Sequence, residues 1–505
     1  VYNGEIFNYT ELVKKYENFT DTTGCDTELL AWGLDEYGIE FIDEIDSMHG
    51  FAYYDTQKNT ITLSRDHAGI KPLFYAKIDR GLVFASEVKG MLDIVPNART
   101  LDNLASSMLS RVGTNPLRNT LFSNIKKVLP GETIVYNIDN KILEYVKRTY
   151  IRPNADKDYS KNELKQMFAH TVKQCAIGKR KIGVFLSGGL DSSVVAYELQ
   201  QHTNSVNTFT NRISPEIQAD EDYNSDSKAA KKFASDQKFN HHDVVVSPTE
   251  YLSAWEDSIW YMEQPNYNPS NPMYCYTNKY LSDNDIVITL SGDMGDELLG
   301  GYSKYNNLFN SEEKPTSWKE LLQLWLERVK KGSYKLTEHP VDDKILLDEL
   351  ENCYSDELWN PQDPTASYMA LDCVAQVPES FFSRNDYYGM AYGMEGRFPL
   401  ASKKFMQYCL NIKSKHKFNG DSAKSLVKEA YQKFLPEYII NKEKTGWTVP
   451  IGYWLVDNVD RDLTNTYDQA IGIDRLKSQG RSQKVGKRLM PEWQVKNWKV
   501  EYQIK

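Results

Sequence analysis

Apolar residues follow two rhythms along the chain. Up to residue 150 they come in short runs and alternations. Gly50-Phe51-Ala52-Tyr53-Tyr54-Asp55 and Thr60-Ile61-Thr62-Leu63-Ser64 flank the polar turn Gln57-Lys58-Asn59, which predicts a hairpin. Val1–Phe7, Leu82–Ala85 and Thr133–Tyr136 predict further strands, and Thr27–Tyr37 predicts a helix, so this half is expected to be β-rich with minor helix. Residues 151–160 are polar, contain Pro153 and read as a linker, with Ser160 as a helix cap ahead of Glu163. Beyond it the pattern alternates: helix 161–177, strand Lys181–Leu186, helix Ser192–Gln201, strand Ser205–Thr210, helix Ser225–Asp236, then strands Asp243–Val246 and Ile286–Leu290. Alternating strands and helices predict a doubly wound parallel sheet. Residues 312–505 are expected to be mainly helical.

Composition narrows this picture. A chain of 505 residues is too long for one ordinary core, and 40% hydrophobic with 26% charged residues fits a globular protein. The formal charge of −10 speaks against nucleic acid or anionic membrane as partner, and no apolar run approaches a membrane span. Six widely spaced cysteines without a CxxC pair argue against a disulfide framework or zinc site and fit a reducing cytoplasm. The chain opens at Val1 inside a strand-like stretch with no signal-peptide pattern, so the natural N-terminus is expected to lie upstream.

The strand ending at Leu186 runs into Ser187-Gly188-Gly189-Leu190-Asp191-Ser192-Ser193 and then a helix. Unpaired amides and the helix dipole at such a junction favour an anion, and glycines let a phosphate approach the backbone. Ser187, Ser192 and Ser193 add hydroxyls, and Asp191 makes sense beside polyphosphate if it binds Mg²⁺. Two glycines alone are explained equally well by a capped turn; the whole string is far more specific. It lacks the lysine of a Walker A loop and resembles the PP-loop of ATP pyrophosphatases, which cleave ATP to AMP and pyrophosphate. The later strand ends similarly, in Ser291-Gly292-Asp293-Met294-Gly295-Asp296-Glu297. Acids so bunched need a cation or cap helix amides, and the pattern alone does not choose. Two loops at carboxyl ends of parallel strands can converge on one crevice, where Asp191 and Asp296 would share one Mg²⁺.

Further motifs carry a family resemblance over essentially the whole chain. Asn3-Gly4-Glu5-Ile6-Phe7-Asn8, Gly24-Cys25-Asp26-Thr27-Glu28, Arg65–Leu73, Ala85-Ser86-Glu87-Val88-Lys89, Met390-Ala391, Glu395–Leu400 and Lys442–Trp447 occur in the order of the glutamine-dependent asparagine synthetases, which the chain resembles. The resemblance implies an α+β, Ntn-hydrolase-like αββα sandwich over residues 1–150 (a class II glutamine amidotransferase domain), a linker at 151–160, and an α/β PP-loop ATP pyrophosphatase domain with a helical C-terminal part over 161–505. It implies ATP contacts from Leu186, Ser187, Gly188, Gly189, Ser192, Ser291 and Gly292, and Mg²⁺ on Asp191 and Asp296. Asp293 would serve formation of β-aspartyl-AMP, and Lys424 would stabilise pyrophosphate. Asn3 and Gly4 would form an oxyanion hole, with Glu5 and Asp26 holding the glutamine ammonium. The implied enzyme is a cytoplasmic ligase, homodimeric, using aspartate, ATP, and glutamine or ammonia.

Three departures qualify this. The family's nucleophilic N-terminal cysteine has no counterpart, and Cys25 does not replace it, so the chain as given is expected to use ammonia. Asp293-Met294-Gly295 stands where Glu-Gly-Ser is common, and Asn266 to Asn271 crowd the stretch after Glu263 and Pro265; both bear on substrate shape. The alternatives are a β-lactam synthetase-like enzyme, a sugar-acid amidotransferase, or a catalytically silent scaffold, against which the intact Asp191, Asp296 and Lys424 argue.

Overall fold

The computed structural model describes residues 1–178, 180–214, 222–265, 268–329, 336–337, 339–418, 423–443, 449–451, 454 and 494–504. Strand β1 (Tyr2–Ile6) pairs antiparallel with β2 (Ser47–Asp55), which turns through the expected hairpin into β3 (Thr60–Arg65). Strands β4 (Phe74–Ile78), β5 (Gly81–Ala85) and β6 (Lys126–Lys127) form a smaller sheet, and β7 (Glu132–Asn137) and β8 (Ile142–Arg148) return to the first. The sheet orders are β1-β2-β3-β7-β8 and β5-β4-β6. Helices α1 (Tyr9–Lys15), α2 (Asp26–Tyr37) and α3 (Asn103–Val112) accompany them.

Helix α3 escapes the apolar pattern for a physical reason. Ser106, Ser107 and Ser110 are buried, and their hydroxyls donate back to the carbonyls of Asn103, Asn103 and Ser106. Serines whose hydrogen bonds close internally occupy core positions while reading as polar.

The second half holds α4 (Lys161–Cys175), β9 (Ile182–Phe185), α5 (Leu190–Gln200), β10 (Asn207–Ile213), α6 (Ser225–Gln237), β11 (Asn240–Val246) and β12 (Ile288–Leu290). With β13 (Glu395–Arg397) the strands form a wholly parallel sheet, order β11-β10-β9-β12-β13. The expected parallel sheet is thus present. Strand β13, Glu-Gly-Arg, has no apolar residue and takes its conformation from pairing with β12. The elements after β12 are mainly helical, and no described helix is long and apolar enough to cross a membrane.

Residues 151–160 are not a free tether. Ile151 is buried in the main core, Lys157 N donates to Asn411 O at 2.8 Å, and Asn360 Nδ2 donates to Pro153 O at 2.8 Å. Proline and polar side chains conceal this, because backbone groups make the contacts. Ser160 does cap α4, accepting from Glu163 N at 3.4 Å.

Buried charges join the two halves. Lys71 Nζ lies 2.7 Å from Asp386, with the side chains 0% and 4% exposed. Glu263 accepts from the backbone N–H groups of Val88 and Lys89 at 2.8 and 2.7 Å. Burial pushes its carboxyl up to about 7, against the pull of Lys89.

Leaving one ion of a buried pair alone is far costlier than losing both. Asp386→Ala should therefore destabilise by about 3–5 kcal/mol in urea unfolding, whereas Lys71→Met combined with Asp386→Leu should cost much less. For Glu263 the folded pKa exceeds the unfolded one, so its contribution is complete below the unfolded pKa and is lost as pH rises through about 7. Glu263→Gln should flatten that part of the stability profile, measured by unfolding at about pH 5 and about pH 8.

Candidate active site

Strands β9 and β12 are neighbours, Leu290 pairing with Val184, so the loops that follow them emerge side by side. Leu186 extends β9 by donating to Phe209 O at 2.8 Å, and its carbonyl accepts from the Thr210 hydroxyl. Ser187 N then donates to Ser192 Oγ at 3.2 Å, which folds the loop onto the first turn of α5. Gly188 has φ 72°, and a Cβ there would lie 2.6 Å from Asp226 O, so only glycine passes. At Gly292 a Cβ would lie 2.8 Å from both Asp191 Cβ and Ser192 N, so the two loops touch where the second lacks a side chain.

This contact brings the two aspartates together. Lys424 Nζ bonds to Asp191 and lies 2.6 Å from Asp296. Burial works against the charge on Lys424, yet the two carboxylates hold its ammonium above the ordinary lysine value. Lys424 adopts φ 57° immediately before the Ser425–Tyr431 helix, a left-handed position of the kind that costs about 1–2 kcal/mol per residue. Next to the pair, Glu297 is pushed up to about 8 by burial and by Asp296 and Asp372. Met294 also has φ 75°, but it is buried, and burying a methionine is worth about 1.5–3 kcal/mol, enough to offset the strain.

A cavity of about 780 Å³ opens on these groups, lined among others by Leu186, Ser187, Gly189, Asp191, Ser192, Ser291, Gly292, Asp293, Asp296 and Lys424. That volume suits a nucleotide-sized ligand. Asp293 accepts from Ser291 Oγ at 2.9 Å and from Asn385 Nδ2 at 2.8 Å. The sequence offered no sign of Asn385, or of Arg384 beside it, which also lines the cavity; a polar residue on a helix usually faces solvent. Lys442 belongs to one of the motifs, but its pairing with Asp226 at 2.5 Å was not foreseen. Among the described residues no set of three or more His, Cys, Asp or Glu gathers as a metal cage. Two hard carboxylates held together at a phosphate-sized crevice nonetheless fit Mg²⁺, which takes one or two carboxylates and completes its shell with water and phosphate. Lys444 to Trp447, and Asn266 and Tyr267, lie outside the described residues.

The candidates of the first half gather elsewhere, around β1. Asn3 Nδ2 donates to Ser86 Oγ at 3.5 Å, and Gly4 packs on the backbone of His49. Asp26 is the first residue of α2, its carboxylate accepting from Ile6 N at 3.0 Å and Tyr2 Oη at 3.2 Å. Glu5 is engaged by the other half, 3.3 Å from Arg397 Nη2. Burial lifts its carboxyl to about 7 despite Arg397, with Glu395 and Asp26 adding to the rise.

Residues 163–502 match the asparagine synthase family model, and residues 1–150 match a glutamine amidotransferase domain. The chain belongs to the asparagine synthase family. Its relatives include asparagine synthetase [glutamine-hydrolyzing] 1 of Bacillus subtilis, 26% identical over 93% of this chain and 78% of that protein. Asparagine synthetase B [glutamine-hydrolyzing] of Escherichia coli is 25% identical over 90% of this chain and 71% of its own length. Asparagine synthases are carbon–nitrogen ligases, and this chain is a ligase of that kind.

Lys424 is the positive partner of two carboxylates in this asparagine synthase family site. Without it, the two carboxylates would face each other uncompensated. Lys424→Met should cost roughly 3 kcal/mol in urea unfolding, whereas Lys424→Met combined with Asp296→Asn should cost less. Equal loss in the single and double variants would contradict it.

Proposed function

We propose that the chain makes asparagine from aspartate at the expense of ATP, through β-aspartyl-AMP, with nitrogen arriving as ammonia that the amidotransferase half draws from glutamine. The observation that carries this reading is the pair of Ser-Gly loops on adjacent parallel strands, tied by Lys424 to Asp191 and Asp296 around one cavity. Family membership over residues 163–502 supports it. We assign residues 1–150 to the amidotransferase domain, residues 161–505 to the synthetase domain, and the two antiparallel sheets with their helices to an Ntn-hydrolase-like sandwich.

In this mechanism the amides and hydroxyls of Ser187 to Ser193 and Ser291 to Gly292 orient the triphosphate of ATP. An oxygen of the aspartate β-carboxylate attacks the α-phosphorus, and the bond to the pyrophosphate oxygen breaks. Lys424 neutralises charge on the departing pyrophosphate, and Asp293, fixed by Ser291 and Asn385, lies beside the reacting groups. Mg²⁺ held by Asp191 and Asp296 supplies charge screening for the phosphates when bound. Ammonia then attacks the acyl carbon and AMP leaves. The protein contributes mainly position and charge.

Incubation with Mg²⁺, ATP, ammonium and aspartate should yield asparagine by mass, and aspartate should drive ATP–pyrophosphate exchange. Asp191→Asn and Asp296→Asn should each lower that exchange by about 100-fold or more. Exchange driven by another acid and not by aspartate would move the acceptor to a β-lactam precursor or sugar acid.

A further inference from the structure

One wall of the cavity carries a cation that no carboxylate among the described residues answers. Arg384 is 5% exposed, and its guanidinium carbon lies 3.7 Å from the centre of the Tyr274 ring and 5.5 Å from that of Phe381. Among the described residues no acid is paired with it, and its Nε is closed to solvent without an acceptor. The neighbouring cations differ: Lys424 meets Asp191 and Asp296, and Lys442 meets Asp226. A buried guanidinium is unfavourable unless something neutralises it, and its stacking on an aromatic face holds it in one orientation at that expense. Such a group lining a cavity is preorganised for a ligand anion.

Chemistry narrows the anion. An acid with two carboxylates uses one in forming the acyl-adenylate and keeps the other charged from binding to product release. The retained carboxylate needs a permanent counter-ion, and arginine alone among side chains stays protonated throughout and matches a planar carboxylate with a planar fork. The phosphates already have two loops and Lys424. Arg384 also sits one residue from Asn385, whose bond to Asp293 leads to Ser291 on the second loop, so the cation is held in register with the nucleotide end.

We infer that Arg384 binds the α-carboxylate of the amino-acid substrate and is the residue that makes the site select an α-amino dicarboxylic acid. This rests on the aspartate reading above. The test compares ATP–pyrophosphate exchange driven by L-aspartate and by β-alanine, which is aspartate without its α-carboxylate, in the native chain and in Arg384→Gln and Arg384→Lys. Arg384→Gln should lower kcat/KM for aspartate by about 100-fold, leave that for β-alanine nearly unchanged, and leave the KM for ATP unchanged. Arg384→Lys, which keeps the charge and loses the fork, should fall between. An unchanged KM for ATP also shows that the variants are folded. Parallel loss with both substrates, or a rise in KM for ATP with aspartate unaffected, would overturn the role of Arg384 while the aspartate reading stands. A native chain that exchanges with neither substrate would overturn the aspartate reading and this assignment with it.

Discussion

Two carboxylates, Asp191 and Asp296, are held at one point by a lysine from a third element. Everything around the cavity depends on that arrangement. The carboxylates approach because glycine occupies the contact at Gly292, and because β9 and β12 are adjacent and parallel. Uncompensated, they would repel; with Lys424 between them, at 2.6 Å from Asp296, the loops and the Ser425–Tyr431 helix are locked together. The same group is charged to neutralise pyrophosphate when the site turns over in the proposed reaction. Structure and chemistry therefore draw on one interaction, and the left-handed backbone at Lys424 is the local strain that accompanies it.

A second set of buried charges ties the halves into one body. Lys71 with Asp386, Glu263 with the backbone of Val88 and Lys89, and Arg397 with Glu5 all cross between them. Arg397 is the most consequential. Its carbonyl accepts from Ser291 N at 3.3 Å, at the start of the second loop, while its guanidinium reaches Glu5. One residue thus touches both candidate sites, through its backbone on one side and its side chain on the other. Asp386 plays a related part, since it follows Arg384 and Asn385 on the helix that walls the cavity.

Much of this is legible in the amino-acid sequence. The hairpin, the parallel sheet, the two Ser-Gly loops and the positions of Asp191 and Asp296 follow from short-range signals: apolar period, glycine at a strand end, an acid at a helix start; Lys424 was marked only by the family resemblance. Helix α3, strand β13 and the docking of residues 151–160 did not, because buried serines, a pairing partner and backbone contacts create them. Asp26 fell between: its helix was expected, but its carboxylate turns to β1.

The sequence by itself determined most of the elements and the two loops able to do phosphate chemistry, because both depend on neighbours a few positions away. Tertiary structure decided which charges meet. Whether a lysine 233 residues from Asp191 reaches it, whether Glu5 faces Arg397, and whether Arg384 lies against Tyr274 are set by packing across the whole chain. Charge pairing is a property of distance in space, and no local pattern along the chain encodes it.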